Sequence, residues 1–346
     1  MITAIDFGCH AIRSACRNPE HPRHISLISE RSEYVVLPDT DQFREVITVH
    51  SIPYAECEGS IVVFGNRAAE VRWLSPQPSA PLFTNGQVPT ADAPARQILD
   101  VLTGAVLPQN PGSSAACCFT APAGPGRTRT AEFLGRLLSM HGFRPVLCSA
   151  TEATMLANGN DCHYTGVTIC MGTETSEISI SRYGVEIARE CLDVGSAWID
   201  AELARQMKIQ VWDRSGECFL DLDSVRDWKL NPRLHLRNST GERERTLSRL
   251  YGVVLDRIAR TVRHLMNAPA VQAKLPGAHF SVICAGGPTR IGGFAGALTE
   301  RFVEQDTASR LLTVRVADDA STAVVRGLLI LAELQHAGQT DAESAA

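Results

Sequence analysis

The feature that most constrains the fold is a strand–turn–strand pattern that occurs twice. Near the start, the apolar run 2–7 ends at Gly8, and residues 12–16 return as a second apolar run. In the middle, residues 166–170 and 177–182 are apolar or alternating, and a polar turn separates them. Both segments predict hairpins of buried strands bounded by turn residues. A chain with two equivalent halves is therefore predicted to contain an internal duplication.

The rest of the chain alternates between strand and helix patterns. Strands are predicted at 24–28, 34–37, 45–49, 61–64, 115–120, 145–148, 185–192, 280–285 and 312–316, and helices at 66–71, 93–107, 128–141, 151–159, 196–206, 223–230, 245–266, 290–303 and 320–336. Residues 337–346 are predicted to be a frayed polar tail. This alternation predicts an α/β protein.

Composition excludes several classes of protein. With 346 residues, 44% of them hydrophobic, the chain can bury one large core or two lobes. A net charge of −5 gives no reason to expect nucleic-acid binding. No apolar run approaches the roughly 20 residues of a transmembrane helix. The eleven cysteines show no C-x-x-C pair or zinc spacing. The first strand is expected to begin without a preceding signal peptide. The cysteines are interpreted as reduced thiols of a cytoplasmic protein.

The first motif that carries chemistry is AIDFGCHAIR at 4–13. A buried strand presents Asp6 just before a glycine turn. The N–H groups of such a turn can cradle phosphates, and a carboxylate there can hold Mg²⁺ through water. An ordinary hairpin turn fits the same pattern.

Two further motifs follow at the ends of buried strands. VTICMGTETSEISI at 167–180 repeats the strand–turn–strand topology. VICAGGPTRI at 282–291 ends a strand with two glycines before a helix. Such a junction lets the backbone approach a flat ligand, and a helix N-terminus favours phosphate. Each motif alone also fits an ordinary turn.

In this order and spacing, the three motifs resemble the phosphate 1, phosphate 2 and adenosine motifs of the actin superfamily, nearest to bacterial MreB-like proteins. Five more segments carry the resemblance. IVVFGNRAA at 61–69 is similar to subdomain IB of MreB, and CFTAPAG at 118–124 to the apolar strand before the V-P turn of that family. SATEATMLANG at 149–159 is similar to the E-P-x-A-A-A-x-G helix of MreB and DnaK-type chaperones, GSAWID at 195–200 to G-G-x-x-F-D, and ASTAVVRG at 320–327 to the closing A-V-A-x-G helix.

The resemblance implies an actin-like, ribonuclease H-like duplicated fold. Each lobe would have a mixed five-stranded sheet flanked by helices. Lobe I would comprise 1–145 and 320–346, with a small insertion at about 30–80. Lobe II would comprise 146–319, with an insertion at about 205–250.

The resemblance also implies ATP or ADP with Mg²⁺ in the cleft between the lobes. The residues that would bind nucleotide are Asp6, Gly8, Cys9, His10, Arg13, Gly172, Thr173, Glu174, Thr175, Gly195, Lys229, Gly286, Gly287, Pro288, Thr289 and Arg290, with Asp6 also facing the metal. Glu152 would be the catalytic carboxylate that polarises the attacking water. A charge placed at a helix start for the dipole is the alternative interpretation of Glu152.

The sequence departs from the family pattern at the phosphate loops. Phosphate 2 usually reads D-x-G-G-G-T, and here Cys170 replaces the aspartate and Glu174 replaces a glycine. Cys9 and His10 stand where small hydroxyl residues are usual, and Arg13 stands where FtsA and PilM relatives often carry lysine. The nucleotide site is therefore expected, with weak ATP hydrolysis or none.

Four functions remain open. The first is an MreB-like cytoskeletal or cell-shape protein that polymerises. The second is a PilM- or FtsA-like pseudo-ATPase adaptor that binds a partner protein, and the third is a chaperone-like ATPase. The fourth is a sugar kinase, which would need a base such as Asp193 or Asp200, but neither lies in a suitable motif. Residues 74–82 have no cationic cluster, so membrane contact is expected only through a partner.

Overall fold

A computed structural model describes residues 2–17, 24–75, 78–89, 92–109, 115–124, 126–212 and 216–344, with side chains up to 337. It divides into two compact units. Apart from the undescribed residues, the first unit holds 1–147 and 332–346, and the second holds 148–212 and 216–331. The lobe and insertion boundaries expected from the sequence stay predictions.

The first unit contains two sheets and four α-helices among its described residues. Its strands are β1 (Ile2–Phe7), β2 (Ala11–Arg17), β3 (Ile25–Arg31), β4 (Glu33–Pro38), β5 (Tyr54–Cys57), β6 (Ser60–Phe64), β7 (Ala80–Pro81), β8 (Ala116–Thr120) and β9 (Arg144–Leu147). Its helices are α1 (Asp41–Val49), α2 (Asn66–Val71), α3 (Ala93–Val106) and α4 (Arg127–Met140), with a 3-10 turn at Arg72–Leu74.

The second unit repeats this mixture. Its strands are β10 (Gly166–Met171), β11 (Ser176–Arg182), β12 (Val185–Leu192), β13 (Gln210–Trp212), β14 (Cys218–Leu220), β15 (Phe280–Ala285) and β16 (Leu311–Val316). Its helices are α5 (Ala150–Asn158), α6 (Ser196–Met207), α7 (Leu222–Lys229), α8 (Glu242–Met266), α9 (Pro269–Lys274) and α10 (Phe294–Glu304), with 3-10 turns at Asn160–Cys162, Gly287–Arg290 and Ala308–Arg310. Helix α11 (Ala323–Ser344) begins in the second unit and continues past the division at 331/332.

The two five-stranded sheets have the same topology. Their strand orders are β3-β2-β1-β8-β9 and β12-β11-β10-β15-β16. In each sheet the first three strands pair antiparallel and the last two join in parallel. The predicted duplication and the predicted mixed five-stranded sheets are confirmed.

Alternation along β10, β11 and β15 sets the two faces of the second sheet. Val167, Ile169 and Ile178 lie on the face that joins the large core formed with α8. Cys170 and Ile283 lie on the other face, in a cluster with α5 and the start of α11. Each fully buried aliphatic side chain contributes about 1.5–3 kcal/mol, so the flanking helices are held mainly by these faces.

One predicted strand is wrong. Residues 45–49 belong to α1, whose N-cap Thr40 accepts a hydrogen bond from the Phe43 N–H at 3.4 Å. The run of β-branched residues in this segment favours a strand. The cap and the burial of Ile47 in a cluster with Leu37 and Val63 outweigh that preference.

The C-terminal helices also differ from their predicted bounds. The 3-10 turn at Gly287–Arg290 precedes α10, which begins at Phe294 rather than at residue 290. The predicted frayed tail is wrong as far as Ser344, because α11 continues to that residue. Alanine, glutamine and glutamate, which occur in this segment, are strong helix formers. Residues 345–346 lie outside the described chain.

Two helical glycines should respond to alanine with opposite signs. A Cβ at Gly327 of α11 would overlap the Ala153 carbonyl of α5, so Gly327→Ala should destabilise the second unit by about 1–3 kcal/mol. A Cβ at Gly135 of α4 would meet its nearest neighbour, Phe119, at an ordinary 3.7 Å. Gly135→Ala should therefore stabilise by about 0.5–1 kcal/mol through helix propensity. Denaturant unfolding of both variants measures the two signs, and a stabilised Gly327→Ala would contradict the packing.

Candidate functional site

The first loop, residues 8–10, closes the hairpin of β1 and β2. The Gly8 N–H donates to the Ala11 carbonyl at 3.2 Å, and a Cβ at Gly8 would lie 2.8 Å from that oxygen. Ser32 secures the loop from outside: its hydroxyl donates to the Gly8 carbonyl at 2.6 Å, and its N–H donates to the His10 carbonyl at 3.0 Å. Cys9 is half-buried against the core of the first unit, whereas His10 is exposed.

Asp6 and Arg13 face each other across this hairpin. The two residues are register partners, and Arg13 Nη1 lies 3.7 Å from Asp6 Oδ2. Only 13% of the Asp6 side chain is exposed. Burial raises the pKa of Asp6 from 3.8 to about 6, while the Arg13 guanidinium acts in the opposite direction. Asp6 is thus a nearly buried carboxylate that is poorly solvated when ionised.

The second loop, residues 172–175, links β10 to β11 and contacts the start of α6. The Gly172 N–H donates to the Thr175 carbonyl at 2.8 Å. The Ser196 N–H donates to the Gly172 carbonyl at 3.1 Å, and the Ala197 N–H donates to the Thr173 carbonyl at 2.7 Å. Two N–H groups of the first turn of α6 are therefore satisfied by loop carbonyls.

This contact depends on Gly195, the N-cap of α6. A Cβ at Gly195 would lie 2.6 Å from the Gly172 carbonyl oxygen. Thr173, Glu174 and Thr175 are half-buried. The sequence predicts Gly195 as a nucleotide contact, and in the structure its measurable role is to let the loop and the helix meet.

Cys170 stands where the resemblance drawn from the sequence implies a metal-facing aspartate. Its thiol is buried and lies 3.2 Å from the Thr154 hydroxyl of α5. Its neighbours include Met155 and Ile283. A thiol among apolar side chains is a poor ligand for Mg²⁺, which prefers oxygen.

The third loop, residues 286–290, follows β15 and lies next to the second. Gly286 has φ +105°, and a Cβ there would overlap the Met171 carbonyl. Its N–H donates to the Ala320 carbonyl at 2.7 Å, and its carbonyl accepts from the Thr289 hydroxyl at 2.8 Å. Only glycine fits this position, because both the backbone conformation and the space exclude a side chain.

The remaining residues of the third loop differ in exposure. Gly287 and Arg290 are exposed, Pro288 is half-buried and Thr289 is buried. The Tyr251 hydroxyl of α8 donates to the Pro288 carbonyl at 3.1 Å. Burial raises the pKa of Tyr251, and the charge of Asp200 raises it further, so the hydroxyl stays protonated and can donate.

Glu152 lies in the first turn of α5. Its N–H donates to the Ser149 hydroxyl at 3.1 Å, and its Oε2 lies 3.4 Å from the Cys148 thiol. The neighbouring Thr151 donates its hydroxyl to the buried Glu177 of β11 at 3.0 Å. The start of α5 is therefore attached to the strand that leaves the second loop.

The ammonium group of Lys229 is already paired with a carboxylate. Its Nζ forms an ion pair with Asp200 of α6, a residue that is 2% exposed, and Arg226 Nε lies 3.7 Å from the other Asp200 oxygen. Burial raises the pKa of Asp200, and Lys229 and Arg226 counteract it. Removing one partner of such a buried pair leaves an uncompensated charge, so this pair holds α6 and α7 together.

At one end of the second sheet, the structure brings together the second loop, the third loop, Gly195 and the start of α5 with Glu152. Lys229 is linked to this group through Asp200. Asp6, Gly8, Cys9, His10 and Arg13 form a separate group in the first unit. Among the described residues, no group of three or more His, Cys, Asp or Glu side chains could hold a metal ion. No helix in the described part of the chain is long and apolar enough to cross a membrane.

Sequence reasoning missed three residues that support these two separate groups, one in the first unit and two in the second. Ser32, Glu177 and Tyr251 each fix a loop or helix that carries predicted contacts. Glu177 could have been noticed as a charge within an otherwise buried alternating strand. Ser32 and Tyr251 carry no local signal, because their partners are distant in sequence.

Comparison with known proteins agrees with this architecture. A family model described as Volactin matches residues 1–332. The fold is similar to that of MreB 5 of Spiroplasma citri, in a crystal structure bound to AMPPNP, with a TM-score of 0.70, 13% identity and 98% of both chains covered. It is also similar to a MamK double helical filament, with a TM-score of 0.67, 15% identity, and 96% of this chain and 98% of that chain covered. The predicted actin-like fold is confirmed. No curated protein matches the chain significantly.

The raised pKa of Asp6 predicts a pH dependence of stability. The folded-state pKa of Asp6 lies above the unfolded value. Asp6 therefore lowers the free energy of unfolding most above about pH 6, and this destabilisation disappears as the pH falls towards 4. Asp6→Asn should therefore gain up to about 3 kcal/mol of stability relative to the wild type between pH 4 and pH 7. Chemical denaturation at both pH values measures this difference.

Asp39→Asn is the matched control. A hydrogen bond from Arg44 lowers the pKa of the exposed Asp39. The stability that this carboxylate contributes is present above its unfolded pKa of 3.8 and is lost only in stronger acid, so Asp39→Asn should change little relative to the wild type between pH 4 and pH 7. Equal pH trends in the two variants would contradict the assignment of Asp6.

Proposed function

The chain belongs to the Volactin family, and on this premise we propose that it is an actin-like, MreB-type cytoskeletal or scaffold protein that binds ATP or ADP. The observation that carries the proposal is the meeting of the second and third loops at Gly286, whose backbone lies directly against the Met171 carbonyl. The exposed Gly287 next to this meeting point has no side chain, which would let a flat, phosphate-bearing ligand approach the backbone of the third loop. The similar MreB 5 structure is bound to AMPPNP.

The two units contribute different groups to this proposal. In the first unit, the loop 8–10 would hold phosphate, and Asp6 would hold Mg²⁺ through water. In the second, the loop 172–175 would hold phosphate and the loop 286–290 the adenosine. Bound Mg²⁺ would neutralise phosphate charge. Asp6 supplies a carboxylate oxygen, the type of donor that Mg²⁺ prefers, although among the described residues no further acidic cluster accompanies it.

Hydrolysis in this proposal is slow. Glu152 would orient the attacking water, and its place in the first turn of α5 fixes its backbone. The buried thiol of Cys170 cannot replace a metal-facing carboxylate, and Glu174 adds negative charge to a phosphate loop. Both features reduce the charge stabilisation that phosphoryl transfer requires.

The proposed partners are other copies of the chain, and the location is cytoplasmic. The similar MamK structure is a double helical filament. An isolated actin-like chain that binds nucleotide becomes a filament protein only through head-to-tail contacts between copies. In this proposal, contact with a membrane occurs only through a partner protein.

A substitution at Gly287 tests the proposal. The residue is exposed, and a Cβ there would meet nothing within 4 Å, so Gly287→Gln should fold normally. A side chain at this point should obstruct the adenosine and weaken binding of a fluorescent ATP analogue at least roughly tenfold, with a parallel loss of ATP-dependent sedimentation. Gly241→Gln is the matched control, since Gly241 is equally open and lies outside the loops.

Each outcome separates the candidates. ATP-dependent sedimentation of the wild type and the control, but not of Gly287→Gln, supports the filament protein. Binding without sedimentation supports an adaptor. If the wild type neither binds the analogue nor sediments, the cytoskeletal proposal is lost.

The second candidate is a PilM- or FtsA-like adaptor that binds a partner and uses nucleotide weakly. The specific observations that favour it are the buried thiol of Cys170 and the engagement of Lys229 by Asp200. A site with no metal-facing carboxylate at position 170, and with Lys229 already paired and so unable to reach the ribose or purine, would bind nucleotide weakly.

Glu174→Gly measures how much the second loop opposes phosphate. At about 4 Å and an effective dielectric near 20, one pair of like charges costs up to about 4 kcal/mol before screening. Glu174→Gly should therefore strengthen binding of the ATP analogue, more at 20 mM than at roughly 500 mM salt, because salt screens the repulsion. Fluorescence titration measures both affinities. An unchanged affinity at low salt would show that Glu174 does not face the phosphates.

A further inference from the structure

Tyr251 of α8 supports the third loop from the core of the second unit. The residue is 2% exposed, and its hydroxyl donates to the Pro288 carbonyl at 3.1 Å. Within the part of the chain that the structure describes, this is the one side-chain hydrogen bond that residues 286–290 receive from another element. The remaining bonds of the loop involve its own Thr289 and the Ala320 carbonyl. A carbonyl in the middle of the loop is therefore fixed by a single distant side chain.

The ring of Tyr251 is held independently of its hydroxyl. It packs edge-on against Phe294, the first residue of α10, with the ring centroids 6.4 Å apart. Both rings belong to the large core of the second unit, and protein cores are packed too densely for a ring of this size to shift freely. The hydroxyl is thus presented to Pro288 from a fixed position. Tyr251→Phe would keep the ring contacts and lose only the hydrogen bond.

The surroundings of the hydroxyl keep it in its donating form. Burial raises the pKa of Tyr251, and the negative charge of Asp200 raises it further. Because a peptide carbonyl can only accept, the direction of the bond to Pro288 is fixed wherever the hydroxyl is protonated. The bond therefore persists across the neutral pH range in which nucleotide binding would be measured.

The second loop has a separate support. Its Gly172 and Thr173 carbonyls accept from the Ser196 and Ala197 N–H groups of α6, and neither of these bonds involves Tyr251. The two neighbouring loops are thus held by different elements, the second by α6 and the third by α8. A change confined to the Tyr251 hydroxyl should alter the third loop and leave the second in place.

The exposed Gly287 directly precedes the residue that Tyr251 holds. Because proline fixes its own φ, the position of the Pro288 carbonyl also restricts the backbone at Gly287. On the premise of the nucleotide function above, we propose that Tyr251 is the positioning residue for the adenosine part of the nucleotide. It does not touch the ligand. It acts through the Pro288 carbonyl, which keeps the Gly287 backbone where the purine binds.

The test compares ADP with pyrophosphate, which carries the same phosphates without adenosine, by isothermal titration calorimetry of the full chain. Tyr251→Phe should weaken ADP binding roughly 3- to 10-fold, because it removes one hydrogen bond, and should leave pyrophosphate binding unchanged. Tyr34→Phe is the matched control, since Tyr34 is 4% exposed and its hydroxyl donates to Asp92 Oδ2 at 2.6 Å in the first unit. Both affinities of this control should equal those of the wild type.

Hydrogen exchange of the nucleotide-free protein gives a second measurement. In Tyr251→Phe, the Gly286 and Thr289 N–H groups of the third loop should exchange faster than in the wild type, whereas the Gly172 N–H of the second loop should not. A general loss of stability would speed exchange in both loops. Equal exchange at Gly286 and Thr289 in the variant and the wild type overturns the proposal.

The binding results separate this role of Tyr251 from the function on which it rests. If the wild type binds no ADP, the nucleotide function is lost and the role of Tyr251 is lost with it. If the wild type binds ADP and Tyr251→Phe binds it equally well, only the role of Tyr251 is overturned. That role is also overturned if pyrophosphate binding falls by the same factor as ADP binding, because the hydroxyl would then act on the whole site rather than on the adenosine.

Discussion

The close approach of the Gly286 backbone to the Met171 carbonyl is the contact on which the second unit's candidate site depends. It follows from the parallel pairing of β10 with β15, which ends both strands at the same edge of the sheet. Because the loops after both strands start from that edge, residues more than one hundred positions apart in sequence become neighbours. A side chain at this position would separate the loops, so glycine is a requirement of the architecture as well as of any ligand.

Two buried carboxylates, one in each unit, differ in how far neighbouring cations compensate their charge. Asp6 has one guanidinium at 3.7 Å, which does not offset the loss of hydration, and its pKa rises. Asp200 has both Lys229 and Arg226, and these partners join α6 to α7. The charge of Asp6 is therefore poorly compensated at the end of a hairpin, whereas the charge of Asp200 is compensated by two cations and helps to hold two helices together. Under-compensated charge of the first kind is typical of functional sites, although ion-pair networks can produce it too.

Much of the fold could be predicted from the sequence, because its strands are bounded by turn residues and its long helices are amphipathic. The duplication followed from two hairpins with the same pattern. The helix at 41–49 could not be predicted, since a β-branched run favours a strand until Thr40 and the burial of Ile47 are known. Short elements such as β13 and β14 carry too few residues for a periodic signal.

For the candidate site, sequence identified the glycines but not the partners of the polar residues. Gly195 and Gly286 were recognisable because backbone constraints are local. The attachment of Lys229 to Asp200 and the bond from Tyr251 to Pro288 depend on packing between helices, which single-sequence patterns do not record. Sequence motifs thus locate the loops, whereas contacts between residues distant in sequence decide which side chains remain able to contact a ligand.

The carbonyls of Gly172 and Thr173 accept hydrogen bonds from two N–H groups at the start of α6, so the second loop is joined directly to this helix. The helix has twelve residues and is about 18 Å long, and beyond it lie α7 and the β13–β14 hairpin. Ile199 and Leu203 of this helix pack into the core of the second unit, and Asp200 pairs with Lys229 of α7. The second loop is therefore braced by that core through α6.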